Sequence, residues 1–268
     1  MSIGIAIAVP DGIALAADTQ TTWNSTITKA KEKQTGNEFE LEKPIQMPVG
    51  WSRMAKKLFS INIENNTYAI ITAGMAHLNQ KSMYAVYQSG AKNYNGNSIY
   101  DNILKHYIQF LKSELCSHLS CNKQELSTKP INICEFILSG YEENDVTKPT
   151  IESHLVFSGT LNINGQQNAT GHYMKWSNRQ QPTRYGGCWI GRTAFISHIV
   201  THSNRKLPPI SGQYGLMTLA DAIDYTRFLI SFTCDFQRFA IMVPDCGRPI
   251  VSSTLTPNIY EEKIIDNN

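Results

Sequence analysis

Long apolar runs are missing from this 268-residue chain. No stretch approaches the ~20 residues that span a bilayer, so the sequence predicts no membrane helix. An excess of one charge is missing too. The formal net charge is +2 and only 17% of residues are charged, which gives no electrostatic reason to expect a nucleic-acid partner. Cysteines are few for the length. The six of them (116, 121, 134, 188, 234, 246) are scattered, which suits free thiols and a cytoplasmic setting better than a disulfide framework. The first residues carry no basic segment before their apolar stretch, and Asp11 and Asp18 come early, so no signal peptide is expected. Cys116-Ser-His118-Leu-Ser-Cys121 offers three metal-ligand types, but no second cluster completes a site. It reads as a helix end with small apolar thiols, and neither metal nor cofactor is expected.

What is present is ample for a core, with 41% apolar residues. Residues 3–9 (IGIAIAV), a turn at Pro10-Asp11-Gly12 and residues 13–17 (IALAA) predict a buried β-hairpin closed by Asp18. Residues 24–55 are polar and irregular, and are expected to form a long loop. A second hairpin is expected over 57–63 and 67–73, ended by Gly74. Helical spacing then runs from Met75 to about Ala91, and again from Ile99 to Leu115. Strands are expected at 131–139 and 151–157, loop with weak strand over 160–183, and strand or helix over 188–200. A third long helix is expected over 216–232, strands at 239–243 and 250–251, and a frayed polar end. Strands that are apolar on both faces need cover on two sides, so this order predicts an α+β domain with helices outside stacked sheets. No repeat or linker divides residues 1–268, and a single domain with an inserted loop at about 24–55 is expected.

Four segments, in this order, resemble proteasome β subunits and their bacterial two-ring relatives. They are the hairpin Gly4–Asp18, the stretch Lys56-Lys57-Leu58-Phe59-Ser60-Ile61, the turn Thr72-Ala73-Gly74-Met75-Ala76, and the pair of helices that follows. The resemblance implies an N-terminal nucleophile hydrolase with a four-layer αββα sandwich of two antiparallel sheets covered by helices. In that family the nucleophile lies ten residues before the hairpin glycine and sixteen before the aspartate. Counting back from Gly12 and from Asp18 reaches Ser2 both times. Removal of Met1 would expose a Ser2 amine able to act as general base for its own hydroxyl.

By the same resemblance Lys57 stands beside the hydroxyl, with Lys56 as the out-of-phase alternative. Asp18 holds that lysine, the Gly74 N–H forms the oxyanion hole, and Asp235 orients the amine. His77 reads as a pocket-lining or surface residue. Two positions depart from the family pattern. Gly187 and Arg238 stand where serines are usual. The implied activity is cleavage of peptide bonds in peptides or unfolded proteins, inside a homo-oligomeric ring that an ATP-dependent unfoldase could feed. The alternatives are a catalytically silent structural subunit and a small-molecule amidase of the same superfamily.

Overall fold

The computed structural model describes residues 2–142, 145–163, 166–168, 171–201, 213–239, 246–257 and 259–265. The chain opens with strands β1 (Ile3–Val9), β2 (Gly12–Asp18), β3 (Thr21–Lys31), β4 (Glu38–Ser52), β5 (Leu58–Ile63) and β6 (Asn66–Gly74). The short β7 (His77–Leu78) and β8 (Lys81–Ser82) precede helices α1 (Met83–Lys92) and α2 (Tyr100–His118). Next come β9 (Ile133–Glu142), β10 (Asp145–Phe157), β11 (Leu161–Ile163), β12 (Gln166–Asn168), β13 (His172–Ser177) and β14 (Gly186–Gly191). Helices α3 (Ala194–Thr201) and α4 (Leu219–Phe239) and strands β15 (Ile250–Leu255) and β16 (Tyr260–Ile265) follow.

Two five-stranded antiparallel sheets result, ordered β14-β1-β2-β15-β16 and β13-β10-β9-β6-β5. Because side chains alternate along a strand, each sheet feeds two cores. On β1, Ile3, Ile5, Ile7 and Val9 pack toward α3 and α4, while Ala6 and Ala8 face the other sheet. On β2 the sizes are reversed, with Ala14 and Ala16 toward the helices and Ile13, Leu15 and Ala17 between the sheets. Phe59 and Ile61 of β5, Tyr68 and Ile70 of β6, and Phe136 and Leu138 of β9 pack against α1 and α2. The four layers are therefore αββα, as expected. Gly4 shows how close the sheets lie, since a Cβ there would sit 2.3 Å from Ile71 Cγ2.

Several boundaries differ from the sequence reading. Residues 24–55 were expected as an irregular loop, but β3 and β4 pair into a two-stranded ribbon that includes most of them. Its polar residues satisfy their backbone within the ribbon, so no apolar period marks it. The first helix begins at Met83 and not at Met75. Asn79 and Gln80 both adopt positive φ, as a two-residue hairpin turn requires, and close the small β7–β8 hairpin first. Ser82 then caps α1 by accepting from the Ala85 N–H. Residues 188–200 contain both a strand end and a helix. The third long helix starts at Leu219, where Thr218 and Asp221 form a reciprocal capping box, and reaches Phe239. The strand expected at 239–243 lies, beyond Phe239, outside the described residues. The polar end expected to fray is an edge strand, β16, paired along β15.

A buried polar cluster lies beside α2. His154 and His172 stack at 5.4 Å, with Nδ1 and Nε2 3.2 Å apart. Glu152 Oε2 lies 3.4 Å from His154 Nε2, and Glu152 Oε1 accepts from Ser177 at 2.7 Å. Burial, with the charges of His154 and Lys112, pushes His172 down to about 4 from its ordinary 6.5. Between those values the unfolded chain binds more protons than the folded one. Stability from this residue is therefore full above about 6.5 and is lost as pH falls toward about 4. Urea denaturation across that range should show wild-type stability rising with pH and a flatter dependence in His172→Gln. Parallel profiles would refute the assignment.

Candidate active site

The first strand pair delivers Asp18 to the centre of the molecule, where it has no solvent exposure. Its Oδ1 accepts from Lys57 Nζ at 2.9 Å and from the Ile3 N–H at 2.9 Å. Its Oδ2 accepts from the N–H groups of Gln20 at 3.2 Å and Gly247 at 3.1 Å. Lys57 also donates to the Gln20 carbonyl. Burial pushes the Asp18 carboxyl above the usual carboxylate range, and the Lys57 ammonium and the Ile3 and Gly247 N–H groups pull against that shift. Removing one member of such a pair leaves an uncompensated charge and costs about 3–5 kcal/mol.

Lys57 is buried just before β5, and its neighbour Lys56 is exposed at the cavity with its ammonium 4.8 Å from the Tyr84 ring centroid. Burial thus separates the two lysines that the sequence left ambiguous.

Ser2 is held from both sides. The Ile3 N–H is tied to Asp18, and the Ser2 carbonyl accepts from the Arg192 N–H at 2.9 Å. That second contact needs Gly191, whose φ is +83° and where a Cβ would lie 1.8 Å from the Ser2 oxygen. The Gly191 N–H in turn donates to Glu135 Oε2 at 2.9 Å, and Glu135 pairs with Lys175. Gly191, Glu135 and Gln20 were not singled out from the sequence. Each contact involves a backbone group, the N–H and carbonyl of Gln20, the N–H of Gly191 held by Glu135, and the Ser2 carbonyl beside Gly191, which leaves no side-chain motif to read.

Gly74 ends β6 at φ +88°, where a Cβ would lie 2.3 Å from the Ile133 carbonyl oxygen. The Thr72 N–H donates to the Lys57 carbonyl and the Met75 N–H to the Ile133 carbonyl. Ladder alternation then turns the Gly74 N–H to the same side as that of Thr72, past the start of β5.

Ser2, Lys57 and Gly74 line one cavity of about 340 Å³, together with Thr22, Met75, His77 and Tyr84. Asp18 sits behind Lys57, below the cavity floor. Asp235 is elsewhere. It lies within α4 and not after it, pairs with Arg248 at 3.1 Å, and does not line this cavity. Gly187, on β14 opposite Ile7, packs beside the Tyr214 ring. Among the described residues no group of three or more His, Cys, Asp or Glu could hold a metal ion. No described helix is long and apolar enough to cross a membrane.

No family model and no curated protein sequence matches the chain. Solved structures do. A Gly-1 mutant of Anbu from Hyphomicrobium sp. strain MC1 superposes with a TM-score of 0.56 at 11% identity, covering 100% of this chain and 88% of that one. Anbu from Yersinia bercovieri, described as an ancestral beta-subunit, gives 0.53 at 12% identity over 99% and 88%. The helical assembly of the Anbu complex from Pseudomonas aeruginosa gives 0.54 at 13% identity over 99% and 88%. The fold is the Anbu fold. At these identities the likeness is one of architecture alone. The Anbu-like frame accounts for the two sheets and the helices outside them.

The two glycines that line backbone contacts at the site should be far less replaceable than an open one. Gly74→Ala and Gly191→Ala are each expected to cost about 2–4 kcal/mol in chemical denaturation, from backbone strain plus collision with a carbonyl. Gly36 also has positive φ, +73°, but nothing lies within 4 Å of its Cβ position, so Gly36→Ala should cost only about 1 kcal/mol. Equal losses at the three positions would contradict the close approaches described.

Proposed function

We propose that this chain is an N-terminal nucleophile hydrolase that cleaves peptide or amide bonds with Ser2. The observation that carries the reading is the meeting of Ser2, Lys57 and Gly74 on one cavity, with Asp18 bonded to both Lys57 and the Ile3 N–H. Removal of Met1 frees the Ser2 amine, which takes the hydroxyl proton directly or through a water. Ser2 Oγ attacks the substrate carbonyl carbon, and the Gly74 N–H donates to the oxyanion of the tetrahedral intermediate. The amine returns its proton to the leaving nitrogen, and water hydrolyses the resulting ester by the same steps in reverse order of roles. Lys57 stabilises the developing negative charge on Oγ, and Asp18 keeps its ammonium in place.

The same reading includes assembly of several copies. One Anbu complex forms a helical assembly. Here the outer face of α4 exposes Phe228, Phe232, Phe236 and Phe239 by 48%, 38%, 43% and 84%, a surface of the kind that subunit contacts cover. The reading extends to a homo-oligomeric ring that encloses the sites and that an ATP-dependent unfoldase could feed with unfolded protein. A catalytically silent subunit is the second reading, favoured by Gly187 in place of a serine and by the Asp235–Arg248 pairing.

Two measurements test the hydrolase. Intact mass should be short by one methionine; a retained Met1 blocks the amine and rules the mechanism out. An electrophile that bridges hydroxyl and amine should label the wild type. Ser2→Ala should abolish labelling, and Lys57→Met should slow it by about 10²-fold or more. Labelling that survives in Ser2→Ala would move the nucleophile elsewhere. In sedimentation velocity, Phe232→Glu is expected to shift the wild-type assembly to smaller species.

A further inference from the structure

The cavity that holds Ser2 has a lopsided charge. Lys56, Lys57 and His77 line it, and no aspartate or glutamate does so among the described residues. Lys57 is committed to Asp18. Lys56 pairs with no carboxylate among the described residues. Its ammonium is held 4.8 Å from the Tyr84 ring centroid, and Tyr84 is itself part of the cavity wall. Cation–π contact fixes the charge at the cavity without neutralising it, unlike a salt bridge. Met75, Met83 and Tyr84 supply apolar surface on the same wall for the methylenes of a side chain. A basic group left unpaired in a concave site raises the local concentration of anionic ligands and rejects cationic ones.

We propose that this cavity selects acidic peptides, with the Lys56 ammonium receiving a glutamate or aspartate side-chain carboxylate of the ligand. As a statement about which substrate is cleaved it rests on the hydrolase reading above, but as a statement about binding it stands without that chemistry. The ligand's carboxylate accepts hydrogen bonds from Lys56 Nζ, and its stem lies along the methionine and tyrosine surface. Charge-assisted hydrogen bonds of this kind discriminate well against a neutral isostere, which leaves the ammonium unpaired.

The experiment separates binding from cleavage. In Ser2→Ala protein, fluorescence polarisation is measured with capped tripeptides identical except for Glu, Gln or Lys at the last residue. Glu should bind roughly tenfold tighter than Gln, and Lys weakest of the three. The Glu advantage should shrink as salt is raised, because the site is open to solvent. Lys56→Gln should remove it, and Lys56→Glu should reverse the order of the Glu and Lys peptides. Lys56 is exposed, and unchanged melting curves for both variants would show that the fold is intact. Equal binding of Glu and Gln peptides, no binding of any, or a preference that survives Lys56→Gln would each overturn the proposal. In wild-type protein, matching Glu and Gln electrophiles are compared for labelling of Ser2. A Glu preference in binding without any labelling would sink the hydrolase reading and leave the acidic ligand standing. Labelling at equal rates together with equal binding would do the reverse.

Discussion

One carboxylate organises the molecule. Asp18 is fully buried, and its charge is tolerated only because an ammonium and three backbone N–H groups converge on it. Those donors come from four separate places in the chain: the residue after Ser2, the start of the ribbon, the start of β5, and the approach to β15. Satisfying one buried group therefore draws four segments to a point. The interaction is not an efficient source of stability, since buried ion pairs cost much of what they return. What it does is specify position. With Asp18 in place the backbone at Ile3 has nowhere else to go, and Ser2 must sit beside Lys57.

Close packing completes what the ion pair begins. The two central strands alternate large and small side chains in opposite phase, so the sheets interlock and not merely stack. At Gly4 this brings them within one methyl group of collision. At Gly74 the approach is equally close, against the Ile133 carbonyl oxygen, and at Gly191 the backbone comes nearer still, against the Ser2 carbonyl oxygen. The glycines near the site are thus there for what they omit. A cavity of about 340 Å³ survives between these contacts because the chain turns away at Gly74 and at the small β7–β8 hairpin, before α1 can fill the space.

The cavity mouth is made by different means. Part of its wall comes from the ribbon and the residues after it, through Thr21, Thr22, Ser52 and Met54. On the proposed reading, chemistry and selection would be carried by separate parts of the fold. The buried pair and the glycines fix the backbone around Ser2, while ribbon, Lys56 and Tyr84 line the approach to it. A chain can alter the second without disturbing the first, which is why fold likeness at low identity says so little about substrate.

Much of the architecture was legible in the residues. The doubly apolar hairpin required cover on both faces, and the helices followed from their period. Ser2, Asp18, Lys57 and Gly74 were named through the resemblance to proteasome β subunits, and three of them, Ser2, Lys57 and Gly74, line one cavity. The ribbon, the start of α1 and β16 were not legible, because polar residues in a paired strand carry no signal until their partner strand is known. Asp235 was assigned by its place along the chain, and the helix that carries it runs on past the expected end. By itself, then, the sequence determined the layers and the types of group available for chemistry, since burial periodicity and residue spacing are local properties. Only the tertiary structure decided which lysine turns inward, that Gly191 and Glu135 support Ser2, and that Lys56 stands at the cavity against the Tyr84 ring with no carboxylate partner among the described residues. Those facts depend on contacts between residues far apart in the chain, and no local pattern encodes them.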